Sequence, residues 1–100
     1  MNYYEKLRNR AKSLKNMYPA GTRVECISMT DPYAPVPPGT RGTVIDVDDI
    51  ATIHVDWDNG SGLGLVSGED RFRKLTQEEV EAEQQIADEP ADNNDFEMSM

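Results

Sequence analysis

Two side chains in this sequence could act as a nucleophile or a proton carrier near neutral pH, Cys26 and His54, and each is the only residue of its type. A nucleophilic pair would need them side by side. Thr52 to Trp57 alternates, with Ile53, Val55 and Trp57 on one face and Thr52, His54 and Asp56 on the other, so His54 points away from the apolar side. Cys26 shares a face with Val24 and is expected in the core, where a thiol behaves as a small hydrophobe. One cysteine forms no intrachain disulfide and no multi-cysteine zinc site.

The carboxylates fare no better. Asp56, Asp58 and Gly60 imitate the start of a calcium loop, but Ser61 and Ser67 stand where such a loop needs its glycine and its bidentate glutamate. Asp46, Asp48 and Asp49 read as a solvated hairpin tip. Gly60-Ser61-Gly62-Leu63-Gly64 resembles a phosphate loop in composition only, because it enters a strand rather than a helix. No catalytic set, metal or cofactor is expected, and the chain reads as a non-enzyme.

The elements that would carry any site change period along the chain. Residues 1–17 place Tyr4, Leu7, Ala11 and Leu14, then Tyr18, at intervals of three and four, one stripe of an amphipathic helix. Pro19 and Gly21 stop it. From residue 18 to 75 the period becomes two, with strands expected over Thr22 to Met29, Gly42 to Val47, Thr52 to Trp57, Gly62 to Val66 and Phe72 to Leu75. Asp58-Asn59-Gly60 marks a tight turn, and Pro38-Gly39 suits the centre of a type II turn. Gly42, Gly62 and Gly64 fit places where strands bend or approach closely. Five short strands in so few residues point to a small five-stranded SH3-like barrel. Thr76 and Glu79 have capping-box spacing, so residues 76–89 read as an acidic helix, and Pro90 onwards as a disordered acidic tail over 90–100.

Charge is laid out in blocks. The first 17 residues hold Lys6, Arg8, Arg10, Lys12 and Lys15 against Glu5 alone, whereas residues 76–100 contain no lysine or arginine, and the whole chain carries -9. A protein this acidic is repelled by nucleic acid and anionic lipid unless a basic face is set apart, and only the first helix offers one. No apolar run approaches the length of a membrane span, and the charged N-terminus lacks the apolar core of a signal peptide. These features predict a soluble cytoplasmic protein.

The run from Tyr18 to Val24, the proline-rich Asp31 to Val44, Ile53 to Ser61 with its Trp-Asp-Asn-Gly turn, and Gly68 to Arg73 together resemble a family of small bacterial proteins defined only as a domain of unknown function. The resemblance implies a phage or mobile-element setting in Gram-positive bacteria and carries no catalytic residue. More loosely, Gly-x-Arg-Val, Gly-Thr-Val and Val-x-Trp-Asp-x-Gly resemble the SH3-like binding modules of mind-bomb-type ubiquitin ligases.

The expected function is therefore a non-catalytic protein-interaction module. Its candidate contact residues are Tyr33 and Pro35 on the stiff loop, with Trp57, Asp58, Asn59 and Phe72. Trp57 and Phe72 are weighed against the simpler reading that they fill the core. A second expectation is a host-defence antagonist of the anti-CRISPR or anti-restriction kind, in which Glu78, Glu79, Glu81 and Glu83 mimic DNA before a nuclease. A third is nucleic-acid binding through the basic helix, and a homodimer through Tyr4, Leu7, Leu14 and Tyr18 is a further possibility.

Overall fold

A computed structural model describes residues 2–88. The tail expected over 90–100 lies outside the described residues. The elements run α1 (Tyr3–Met17), β1 (Arg23–Ser28), β2 (Arg41–Val47), β3 (Thr52–Trp57), β4 (Leu65–Val66), β5 (Arg71–Lys74) and α2 (Gln77–Asp88). The strands form one antiparallel sheet in the order β4-β3-β2-β1-β5.

The sheet does not close into a barrel, which corrects the closed form expected above. The outer strands, of two and four residues, are too short to form a closing ladder. Between them runs a single bridge, Ser67 to Asp70. β4 is also shorter than expected, because Gly62 to Gly64 stay outside the ladder while the Trp57 indole donates to the Leu63 carbonyl at 2.8 Å. A Cβ on Gly42 would come within 2.6 Å of Val55 and 2.8 Å of Trp57, and one on Gly64 within 2.7 Å of Thr52. Those two glycines permit close strand approach, whereas Gly62 has open space around it.

The core gathers Val24, Cys26, Val44, Val47, Ile53, Val55, Trp57 and Leu65 from the sheet with Val36 from the proline loop. Burial of such side chains is the main stabilising term. β2 breaks its alternation at a bulge between Val44 and Asp46. The extra residue leaves Ile45 exposed beside exposed Asp46 and returns Val47 to the interior.

Helix α1 begins at a capping box with Asn2 as its N-cap. The Asn2 side chain accepts from the Glu5 backbone at 2.8 Å, and the Asn2 backbone donates to the Glu5 carboxylate at 3.0 Å. Ala11 and Leu14 sit in the core and Leu7 and Tyr18 pack against it, so the stripe docks on its own sheet. Tyr4, at the free end of the stripe, stays exposed. α2 starts at the expected cap, with the Glu79 backbone donating to the Thr76 hydroxyl at 3.1 Å and the Thr76 backbone donating to the Glu79 carboxylate at 2.8 Å.

Candidate functional site

His54 is exposed, with Nε2 2.8 Å from Asp48 Oδ2, whereas Cys26 is buried and its thiol donates to the Val36 carbonyl at 3.4 Å. Burial pushes the Cys26 thiol pKa up, away from the reactive thiolate. The two residues therefore form no pair. Asp48 Oδ1 accepts from the Ile50 and Thr52 backbones and so closes the β2–β3 turn. Among the described residues no group of three or more His, Cys, Asp or Glu side chains could hold a metal ion.

The proline loop is built as a rigid projection. Asp31 accepts from the Tyr33 and Ala34 backbones, Val36 plugs into the core, and Thr40 donates to the Pro37 carbonyl across a turn whose Gly39 has φ +89°. Tyr33 stands 92% exposed at its tip, next to exposed Pro35. Trp57 is only 1% exposed and belongs to the core, so it offers no face to a groove shared with Tyr33. Phe72 packs on Tyr18 with ring centroids 5.3 Å apart. Asn59 is exposed in the tight turn, where its side chain accepts from the Ser61 backbone at 3.0 Å.

A groove of about 500 Å³ lies instead between the first turns of α1 and the β3–β4 side of the sheet. Tyr4, Leu7, Ile50 and Val66 supply its apolar surface, and Lys6 and Arg10 stand among its lining with Glu69. Tyr3 meets Tyr4 edge to face at 5.8 Å. Tyr4 and Ile50 are 66% and 60% exposed, large apolar side chains left in water beside one another. Periodicity could not find Ile50, because it belongs to a turn, nor Val66, because it belongs to a two-residue edge strand.

The five helix bases divide between faces. Lys6 and Arg10 line this groove, Arg8 and Lys12 line a separate shallow one with Glu5 and Asn9, and Lys15 pairs with Asp49 at 3.5 Å.

The acidic helix divides as well. Glu78 and Glu81 are exposed, but Glu79 and Glu83, one turn apart, face the sheet. Arg73 grips Glu79 through two bonds of 2.8 and 2.7 Å. Arg23 binds Glu83 through Nε at 3.0 Å and Nη2 at 2.8 Å, while its Nη1 and Nη2 also take Asp58 at 2.9 and 2.6 Å. Arg41 reaches Glu83 at 3.3 Å and Glu25 at 3.3 Å, and Glu25 meets Arg73 at 3.1 Å. The Arg73 guanidinium, with help from the Thr76 backbone, pulls the Glu79 carboxyl down to about 2. Arg23 likewise holds Asp58 and Glu83 below the usual carboxylate range, and their charges raise Arg23 in turn. The four glutamates therefore do not form one free acidic surface.

Among the described residues no helix is long and apolar enough to cross a membrane. Residues 7–75 match the model of the family described as Domain of unknown function (DUF4314), and the chain belongs to that family. No curated protein matches the chain, and no solved structure matches it.

Proposed function

We propose that this member of the unknown-function family is a non-catalytic interaction module that takes an apolar, acidic segment of a partner protein in the groove between α1 and the β3–β4 side of the sheet. The observation that carries the reading is the convergence of exposed Tyr4, Ile50 and Val66 on one groove with two cations, Lys6 and Arg10, among its lining. Apolar side chains gathered in a concave site favour burial by a partner, and the cations select carboxylates on it. Tyr33 and Pro35 provide a second exposed contact on a loop already ordered by Asp31 and Val36. The SH3-like assignment finds support in the strand order β4-β3-β2-β1-β5 around a single core, and the phage or mobile-element setting rests on the sequence resemblance.

The DNA-mimic reading is the weaker one. Glu79 and Glu83 spend their charge on arginines, which leaves Glu78 and Glu81 to meet a nuclease.

The test is a peptide-display selection on the full chain. Selected peptides should combine aliphatic or aromatic residues with Asp or Glu, bind one per chain, and lose about tenfold in affinity against Ile50→Glu. Retained binding to Ile50→Glu, or selection of basic peptides, would remove the proposal.

A further inference from the structure

Helix α2 is held on the sheet by charge. Val80 is half-buried, Ile86 is 74% exposed, and a helix of 12 residues is marginal by itself. Its anchors are the two ion-paired carboxylates, Glu79 and Glu83.

The receiving face has a matching pitch. Glu25 lies opposite Arg41 on one side and Arg73 on the other, forming one row across β2, β1 and β5. Arg23 lies two residues earlier on β1, opposite Thr43, and forms the next row. Two residues of strand advance about 6.7 Å, and four residues of helix rise about 6 Å. Carboxylates at i and i+4 of a helix laid along the strands therefore meet both rows, as Glu79 meets Arg73 and Glu83 meets Arg23.

The arginine-bearing strands lie within the family match, which ends at residue 75, and α2 lies beyond it. We infer that the face carrying Arg23, Arg41 and Arg73 is a recognition surface for an acidic helix with carboxylates four residues apart, occupied in cis by α2 and open to a partner protein's helix of the same pattern. Glu25 and Asp58, interleaved with the arginines, orient the guanidinium forks. They also repel a phosphate backbone, so an acidic helix fits this face better than nucleic acid does. This surface is independent of the groove proposed above.

The test uses the full chain with Glu79→Gln and Glu83→Gln together, which releases the cis occupant, and a labelled peptide with the sequence of residues 76–88 as the probe. The peptide should bind the variant about tenfold more tightly than the unsubstituted chain, because cis occupancy reduces the competent fraction. That binding should weaken with salt and vanish when the peptide's own two glutamates become glutamines. Equal binding to both chains, no binding to the variant, or tighter binding of an oligothymidine than of the peptide would each overturn the inference. Amide exchange on the unsubstituted chain gives a separate readout. Exchange in α2 should quicken at high salt while β1 to β3 stay protected, and an α2 indifferent to salt would also overturn it.

Discussion

Replacing Arg23 by methionine tests the polar architecture of the outer sheet face most directly. The side chain is 18% exposed and forks onto two carboxylates, with a further bond to the Thr43 hydroxyl at 3.0 Å. A shielded bond to a charged group contributes about 1.5–3 kcal/mol net, and an exposed pair about 0.2–1 kcal/mol. Asp58 is half-exposed and Glu83 a quarter exposed, so the two forks fall between those limits. Arg23→Met also leaves Asp58 without its guanidinium partner and Glu83 with Arg41 alone, and the expected loss is about 2–4 kcal/mol, a large share of the stability of so small a domain. Urea unfolding followed by Trp57 fluorescence measures it, because Trp57 is the only tryptophan and lies in the core. With a denaturant slope of about 1.5 kcal/mol per molar, the midpoint should drop by roughly 1.3–2.7 M. Arg23→Lys should fall between the two, since an ammonium cannot form both forks. A midpoint for Arg23→Met within about 0.3 M of the parent would refute the reasoning, because the ion pairs would then be decoration.

Glu79 titrates at about 2 in the fold against the usual 4.5, so its contribution is whole above 4.5 and is lost as pH falls through 2. Circular dichroism should show α2 helicity declining over that window, with no such decline in the Glu79→Gln and Glu83→Gln variant. Gly42→Ala should cost about 1–3 kcal/mol by overpacking against Val55 and Trp57, whereas Gly62→Ala should stay within about 0.5 kcal/mol; paired urea curves give the comparison. Cys26 should resist a thiol reagent in the native protein and react at the rate of unfolding, and fast native labelling would contradict its burial. Thr76→Ala should lower α2 helicity through a cap worth about 1 kcal/mol, read by the same dichroism.

Local rules carried the elements whose signals are local. The α1 stripe, β3, the Asp58-Asn59-Gly60 turn, the Pro38-Gly39 turn and the Thr76 cap each follow from a few adjacent residues, and each is present. Strand ends were less legible. Gly62 to Gly64 resemble a strand start, but Trp57 draws the Leu63 carbonyl to its indole, a contact between residues on the two arms of a hairpin. The β2 bulge that leaves Asp46 exposed and returns Val47 to the interior depends on pairing with β3, so simple alternation from Val44 misplaces those two side chains.

The candidate site was the least legible part. Tyr33 and Pro35 were identifiable because prolines and an aspartate shape their loop locally. Trp57 is of a type that binding grooves use, but its alternation with Ile53 and Val55 points it inward. Lys6 and Arg10 are recognisable as basic but not as neighbours of Ile50 and Val66, which lie forty or more residues away in the chain.

Composition and period alone determined that the middle of this chain forms short strands between two helices, and that its charges are segregated end from end. Only the tertiary structure decided what those charges do, because an ion pair depends on distance in space. Glu79 and Glu83 look like solvated glutamates in sequence, and become anchors once the antiparallel register sets Arg73, Arg41 and Arg23 beneath them. Hydrophobic period constrains each element separately, whereas the pairing of distant side chains follows from how the elements pack together.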